Sequence, residues 1–221
     1  MPVYHKHKLA HIHIPKTAGT VIETYFHEIG DMKWGPESWV GQANIHGRWY
    51  EFQHLSLQEL RSLAHGAFDE YMSFAVVRNP YTRMISDYLW RRRIQHQSPN
   101  SATQFFDSFG TFLNAIPKNI NTNFWRHVLG ADKKKANFLI HIRPQYQYIS
   151  DSDGNCSVDE ILKFERLHLD MARLLKRYGL STNRFKSPQI IDLKEYYNRT
   201  QLDLVNEIYA KDFAYYAYEM L

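Results

Sequence analysis

His11-Ile12-His13-Ile14-Pro15-Lys16-Thr17-Ala18-Gly19-Thr20 joins an apolar run to an amphipathic helix through a short loop that carries a lysine. The residues from Leu9 to Ile14 predict a strand, and those from Thr20 predict a helix with Gly30 at its C-terminal end. Backbone N–H groups at a helix start lack intrahelical partners and lie at the positive end of the helix dipole. The stretch therefore predicts an anion-binding loop with Lys16 as its mobile positive charge.

The composition predicts one globular domain over residues 1–221. Apolar residues make up 44% of the chain, enough for a substantial core at this length. A net charge of +4 suits an anionic ligand but is too small to indicate a nucleic-acid partner. The single cysteine, Cys156, excludes an intramolecular disulfide and favours a reducing, cytoplasmic location. No apolar run is long enough to span a membrane, no signal peptide is expected, and the oligomeric state stays open.

The histidines do not predict a metal site. His5, His7, His11 and His13 alternate along the chain, which is one pattern that could bind zinc. No cysteine cluster and no His-Glu-x-x-His motif accompanies them, and two of the four fall inside the predicted strand. We therefore expect no bound metal.

A second anion-binding element follows the strand predicted over Tyr71–Val77. Its nearly continuous apolar run is typical of a central parallel strand. Arg78 ends this strand, Asn79 is the expected N-cap of the next helix, and Pro80 is its first residue. Ligands collect at the carboxyl ends of parallel strands, so we expect Arg78 and Lys16 to face one ligand.

The remaining elements complete an α/β pattern with a central, mostly parallel sheet flanked by helices. Residues 31–47 read as an ordered loop, and Ser56 with Glu59 forms a capping box before a helix that ends at Ala64. The segment Val158–Tyr178 fits either one long helix or a strand followed by a helix. Further predictions are a strand at Trp49–Gln53 and helices at Pro80–Arg93, Gln104–Ile116, Asn121–Leu129 and Leu202–Tyr218.

The loop does not match an ATP-hydrolysing P-loop. That signature places its Lys directly after the second Gly, whereas Lys16 and Thr17 precede Gly19 here. No Mg²⁺-binding acid is evident after the Tyr71–Val77 strand. The residue order therefore argues against ATP hydrolysis.

Together the two elements resemble the sulfotransferases that use 3′-phosphoadenylyl sulfate (PAPS), in the carbohydrate, glycosaminoglycan-type branch. The first matches that family's Pro-Lys-Thr-x-x-Thr loop, and the second its Arg-x-Pro-x-x-Arg-x-x-Ser motif. The resemblance implies a three-layer fold like that of P-loop NTPases and a sulfuryl transfer from PAPS to a hydroxyl, leaving 3′,5′-ADP. It also implies that Arg78 and Ser86 bind the 3′-phosphate, and that the 5′ side is held by Pro15, Lys16, Thr17, Ala18, Gly19 and Thr20.

Later parts of the chain extend the resemblance over most of its length. They are similar to the family's His-x-x-Pro-Gln element, its Asp-x-Ile-x-x-Phe-Glu strand and its C-terminal helix. The second of these favours strand-then-helix in the segment Val158–Tyr178. Residues 181–187 fall where the family has a basic loop over the nucleotide, which makes Arg184, Lys186 and Ser187 cofactor-binding candidates. These elements begin at His141, Val158 and Ile208.

Two residues are candidates for the base that takes the acceptor proton. His54 lies in a His-x-Ser context similar to that of the glycosaminoglycan 2-O-sulfotransferases, and imidazole has a suitable ordinary pKa. Glu23, in the first helix, is the rival candidate. Lys16 would also stabilise charge on the leaving phosphate oxygen. No metal is needed if Lys16, Arg78 and backbone amides balance the charge of the cofactor.

The acceptor is the least determined part of the prediction. A saccharide is expected from the family branch, and its specificity would lie in residues 31–47 and 94–120. The basic runs Arg91–Arg93 and Lys133–Lys135 fit either a solvated face or a groove for an acidic glycan. Alternative functions are a non-catalytic anion- or glycan-binding protein and, less expected, a nucleotide or small-molecule kinase.

Overall fold

The computed structural model describes residues 1–45, 48–120, 132–151 and 153–221. The chain divides into two compact units. The first comprises Met1–Arg78 and Gln145–Ile190, and the second comprises Asn79–Pro144 and Ile191–Leu221. The expected single domain over 1–221 remains a prediction.

The first unit contains the α/β sheet. Four strands lie in the order β1 (Val3–Tyr4), β2 (Leu9–Ile12), β5 (Met72–Val77) and β6 (Glu160–Lys163). The pair β1–β2 is antiparallel, while β2, β5 and β6 run parallel, with His11 opposite Phe74 and Ala75 opposite Ile161. The predicted mostly parallel sheet is confirmed, with β5 between two parallel neighbours. β2 ends at Ile12 rather than Ile14, because the Ile14 N–H donates to the Ile12 carbonyl and turns the chain.

The first unit contains the helices α1 (Gly19–Glu28), α2 (Leu57–Ala64), α6 (Tyr146–Ile149) and α7 (Leu167–Lys176). Two of them, α1 and α7, pack on the sheet through one apolar cluster. The cluster brings together side chains of α1, the strands and α7, among them Phe26, Phe74, Leu162 and Met171, all fully buried. The capping box of α2 is confirmed: Ser56 accepts from the Glu59 N–H, and Glu59 accepts from the Ser56 N–H. The segment Val158–Tyr178 is a strand followed by a helix, as the family motif indicated.

The loop predicted over residues 31–47 contains a strand that the sequence analysis missed. β3 (Gln42–Ile45) pairs antiparallel with β4 (Arg48–Glu51), with Gln42 opposite Glu51. The strand predicted at Trp49–Gln53 therefore begins earlier and stops at Glu51. A short 3₁₀ turn, Phe52–His54, follows it, closed by a hydrogen bond from the Leu55 N–H to the Phe52 carbonyl. His54 consequently lies in a turn and not on a strand end.

The second unit is helical in its described residues. It contains α3 (Pro80–Gln97), α4 (Phe109–Ala115), α5 (Lys133–Ile142), α8 (Arg199–Ile208) and α9 (Ala210–Tyr215). Asn79 caps α3 as predicted, accepting from the Tyr81 N–H, but the helix continues past Arg93. α4 starts at Phe109 rather than Gln104, because the Ser108 side chain caps it there. The predicted helix Asn121–Leu129 lies outside the described residues.

The predicted C-terminal helix is divided in two. Tyr209, with φ −109° and ψ 22°, separates α8 from α9. Its side chain is fully buried, and its hydroxyl donates to the Ile142 carbonyl at 2.8 Å. The helical periodicity continues across this residue, which is why the sequence alone predicts one helix.

One arginine of the basic run Arg91–Arg93 is not on a solvated face. The Arg91 side chain is buried, and its Nε donates to Asp87 at 3.0 Å. Asp87 also pairs with His141 Nδ1 at 2.5 Å. Arg92 and Arg93 are exposed. A surface role is therefore open to those two residues, while Arg91 belongs to a buried charge network.

We expect the stability to fall between pH 7.5 and pH 5.5 because of His11. Burial, with a smaller effect from His13, lowers the pKa of this fully buried imidazole well below its ordinary value. The folded state keeps His11 neutral while the unfolded chain takes up a proton below about pH 6.5. Unfolding is therefore favoured by acid, by up to about 1.4 kcal/mol per pH unit.

Urea unfolding of the wild type and His11→Phe at several pH values measures this effect. The variant's free energy of unfolding should depend less on pH in this window, whatever its absolute stability. Any pH dependence that the two proteins share cancels in the comparison. Equal pH slopes for the two proteins would contradict the assignment.

Candidate active site

The loop Pro15–Thr20 leaves β2 and enters α1 in a conformation suited to an anion. Lys16 and Ala18 have positive φ angles of 70° and 81°, whereas Thr17 does not. Residues of alternating handedness turn successive backbone N–H groups toward one concavity, which is an anion-binding geometry. The left-handed region costs a non-glycine residue about 1–2 kcal/mol, so this conformation is held by its surroundings.

A hydrogen bond within the loop supports that conformation, and the helix that follows the loop has no side-chain cap. The buried Thr17 hydroxyl donates to the Ile14 carbonyl at 2.8 Å and closes the turn. No side chain caps α1, in contrast to α2 and α3, whose first turns are capped by Ser56 and Asn79. The Val21 N–H donates to the Ala18 carbonyl at 3.0 Å, so Gly19 and Thr20 provide the first-turn N–H groups that can serve a ligand.

Arg78 lies against the loop, as the parallel pairing of β2 with β5 predicts. Its Nη1 donates to the Lys16 carbonyl at 3.2 Å, and its guanidinium carbon lies 3.9 Å from the centre of the Phe164 ring. The side chain is largely buried. A guanidinium presents five N–H donors in a fixed plane, so the same group can bind the loop and an oxyanion.

Gln145 fixes the backbone of Arg78, a role that sequence analysis did not assign. Its Oε1 accepts from the Arg78 N–H at 2.9 Å, and its Nε2 donates to the Arg78 carbonyl at 2.8 Å. Gln145 is fully buried. The amide thus pairs with Arg78 as a neighbouring strand would. The sequence did contain a signal for Gln145, the Pro-Gln of the family-like element that begins at His141. It did not indicate the contact, because 67 residues separate Gln145 from Arg78.

The His54 ring has a defined tautomer. Its Nδ1 lies 3.0 Å from the His13 carbonyl, and a carbonyl can only accept, so Nδ1 carries the hydrogen. The lone pair of the neutral ring is then on Nε2. The side chain is half-buried in the turn after β4. This arrangement is suited to taking a proton at Nε2.

Glu23 is arranged differently from His54. It is fully buried, its Oε1 lies 2.5 Å from His13 Nδ1, and its Oε2 accepts from Gln53 Nε2 at 2.8 Å. Burial raises the pKa of Glu23, but His13, through charge and hydrogen bonding, and Gln53 lower it to a value below the ordinary one. An ionised carboxylate with a lowered pKa and a donor on each oxygen is a weak base. Of the two candidates, the geometry favours His54.

The contacts of the other candidate residues, where the structure describes them, are with parts of the chain other than the loop. Arg184 pairs with Glu28 at the C-terminal end of α1, 2.8 Å apart, while the loop precedes the N-terminal end of that helix. The exposed Ser187 hydroxyl lies 3.4 Å from the His168 ring, and Lys186 is exposed. Ser86 is half-buried on α3 in the second unit. Their cofactor contacts remain predictions.

A family model identifies the chain. The model described as the sulfotransferase family matches residues 1–219. With the parallel sheet, the anion loop after β2 and Arg78 after β5, this defines an α/β sulfuryl-transfer enzyme with a P-loop-like fold. The chain belongs to sulfotransferase family 2, which includes the glycosaminoglycan sulfotransferases. Searches of curated proteins and of solved structures gave no match.

None of the helices formed by residues 1–45, 48–120, 132–151 and 153–221 is long and apolar enough to cross a membrane. Among the same residues, no group of three or more His, Cys, Asp or Glu side chains is placed to hold a metal ion.

We expect Gln145→Met to destabilise the first unit. The variant has an apolar side chain of similar size in place of the amide, and it therefore lacks both hydrogen bonds to the Arg78 backbone. Each buried group deprived of its partner costs about 1–3 kcal/mol, so the free energy of unfolding should fall by at least about 2 kcal/mol.

Urea unfolding measures this loss, and Gln147→Met provides the matched control. Gln147 is exposed two residues further along the chain. Its replacement should change the free energy of unfolding by less than about 0.5 kcal/mol. Equal effects of the two substitutions would show that the two hydrogen bonds between Gln145 and the Arg78 backbone add nothing to stability.

Proposed function

We propose that this sulfotransferase moves a sulfuryl group from 3′-phosphoadenylyl sulfate to a hydroxyl, with a saccharide as the acceptor. The observation that carries the proposal is the hydrogen bond from Arg78 to the Lys16 carbonyl. It brings a second cationic side chain onto an anion loop at the carboxyl ends of parallel strands. A donor with a phosphosulfate and a separate 3′-phosphate needs more than one such anion-binding group.

The residues present fit the 5′ side of that donor. The backbone N–H groups of the alternating-φ segment and the uncapped start of α1 would hold the phosphosulfate oxygens. Lys16 adds a positive charge on the same loop. The bound donor supplies the activated sulfuryl group, and the chain's own residues orient it and balance its charge. Binding of the 3′-phosphate by Arg78 and Ser86 remains part of the proposal.

His54 is the proposed base. With its hydrogen on Nδ1, the neutral ring accepts the acceptor hydroxyl proton at Nε2. The His13 carbonyl, which receives the Nδ1–H, keeps the ring oriented during this transfer. Lys16 stabilises negative charge on the departing phosphate oxygen, and removing one such donor typically costs about 10²–10³ in rate.

The saccharide acceptor is supported by the family, which includes glycosaminoglycan sulfotransferases. Trp34, which is 50% exposed after α1, is one surface aromatic of the kind that stacks on sugars. A cytoplasmic location is also proposed, because the single cysteine, Cys156, is free and exposed, which suits a reducing compartment.

Substitution of Lys16 or Arg78 should weaken the binding of 3′,5′-ADP, the desulfated donor. Each removes a charge-assisted contact worth about 1.5–3 kcal/mol, which corresponds to an increase of roughly 10- to 100-fold in Kd. Lys16→Ala retains the same backbone preference at this positive-φ position, so the charge is the main change. Titration calorimetry measures the constants.

Lys33→Ala is the control for net charge in this experiment. Lys33 is exposed and pairs with Glu37 at the surface. The Kd of the Lys33→Ala variant for 3′,5′-ADP should equal that of the wild type within about twofold. Absence of binding to the wild type, or equal binding by all variants, would remove the basis of the proposal.

We further expect His54→Ala to lower transfer but not donor binding. Loss of a general base typically costs about 10²–10⁴ in rate. Transfer of labelled sulfate to a panel of saccharides measures kcat, and calorimetry measures 3′,5′-ADP binding. His96→Ala, a change of an exposed histidine on α3, should leave both unchanged.

The outcomes separate the candidate functions. Full activity of His54→Ala would overturn only the base assignment. Tight 3′,5′-ADP binding with no transfer to any acceptor would favour the non-catalytic binding protein. Mg²⁺-dependent ATP turnover would favour the kinase, against which the order of Lys16 and Gly19 argues.

A further inference from the structure

His13 follows β2 directly and is held in one orientation by a buried carboxylate. Its ring Nδ1 lies 2.5 Å from Glu23 Oε1, and the other oxygen of Glu23 accepts from Gln53 at 2.8 Å. His13 is 4% exposed and Glu23 is fully buried. Both carboxylate oxygens are therefore occupied, and the imidazole plane has little freedom to turn.

The opposite edge of the same ring contacts the anion loop. A Cβ added to Gly19 would lie 1.9 Å from His13 Nε2 and 2.1 Å from Cδ2. Only glycine leaves room for the ring at this position, although its φ is not in the left-handed region. The His13 imidazole thus packs directly on the residue where the loop becomes α1.

His13 also orients His54. The His13 carbonyl accepts from His54 Nδ1 at 3.0 Å, and the two rings meet edge to face with centroids 4.5 Å apart. One residue therefore contacts the loop through its ring edge, α1 through Glu23, and the proposed base through its carbonyl and ring face.

We propose that His13 is a positioning residue that fixes the distance between His54 and the anion loop, with Glu23 as its anchor. This inference rests on the proposed function and adds a residue to it. In-line displacement requires the activated hydroxyl to approach the sulfur within a narrow range of distance and angle. A misplacement of about 1 Å can cost 10²-fold in rate, so a residue that sets this distance affects kcat.

His11, on β2 two residues before His13, is a matched comparison. It is as buried as His13, stacks on it with centroids 5.5 Å apart, and packs on Phe74 at 4.8 Å. Its polar contact is with the Tyr4 hydroxyl. These contacts join His11 to Tyr4, His13 and Phe74, so truncating it tests the effect of losing a neighbouring buried imidazole.

The experiment compares the wild type with His13→Ala, His11→Ala, His54→Ala and the double variant His13→Ala/His54→Ala. Three quantities are measured for each: kcat for sulfate transfer at saturating donor, Kd for 3′,5′-ADP, and Tm. We expect His13→Ala to lower kcat about 10- to 100-fold. His11→Ala should lower Tm comparably while changing kcat by less than about threefold. The double variant should be no slower than His54→Ala, because His13 acts through the base.

Each result decides the inference. If the two substitutions lower kcat independently, so that the double variant shows the product of the single losses, His13 does not act through His54. If the wild type transfers sulfate and His13→Ala keeps its kcat, only this inference fails. If the wild type transfers no sulfate, the proposed function fails and the inference fails with it.

A second variant covers the case in which His13→Ala does not fold. Glu23→Gln retains the size of the side chain but removes the charge that orients His13. A carboxylate offers two acceptor oxygens, one each for His13 and Gln53, whereas an amide offers only one. The variant therefore cannot accept both hydrogen bonds in the same way. We expect a kcat loss of about 10-fold that again disappears in the His54→Ala background. An unchanged kcat in Glu23→Gln would contradict the anchoring role.

Discussion

The parallel pairing of β2 with β5 is the constraint on which the site depends. Parallel strands have their carboxyl ends at the same edge of a sheet, so the chain segments that follow them are neighbours. In this protein those segments are the loop Pro15–Thr20 and Arg78, and the hydrogen bond from Arg78 to the Lys16 carbonyl is the direct result. A shift of this register would separate the loop from the guanidinium without changing either residue.

The described helices differ in whether a side chain caps their first turn. Side chains of Ser56, Asn79 and Ser108 cap their helices, whereas α1 has no side-chain cap, as is also true of α6, α7 and α9. Capping contributes about 1 kcal/mol to a helix, so an uncapped start is a loss of stability that a ligand can recover. The left-handed Lys16 and Ala18 add to that loss in the same loop.

Local patterns in the sequence predicted those parts of the site whose contacts lie within a few residues along the chain. The loop, the strand before Arg78, the Asn79 cap and the Ser56–Glu59 capping box all follow from residue order over a few positions. The contacts of Gln145 with Arg78 and of His13 with His54 did not emerge this way, because the partners are 67 and 41 residues apart along the chain. Such contacts join side chains to the backbone of another element, and no periodicity signals them.

The same reason explains the errors in the fold. β3 has a polar, glycine-flanked sequence that reads as a loop and becomes a strand only through its pairing with β4. The break at Tyr209 coincides with a buried side chain whose hydroxyl donates to the Ile142 carbonyl, while the helical pattern of the sequence continues on both sides. Tertiary hydrogen bonds decided both outcomes over local propensity.

The hydrogen bond between Arg78 and the Lys16 carbonyl also bears on how fast a ligand is captured. A cradle whose backbone is already held in its binding shape requires no slow ordering step before an anion can settle into it. Association should then be a single fast phase governed by diffusion and charge, and slower at high salt. Differences in affinity among related nucleotides would accordingly reside in how long each stays bound.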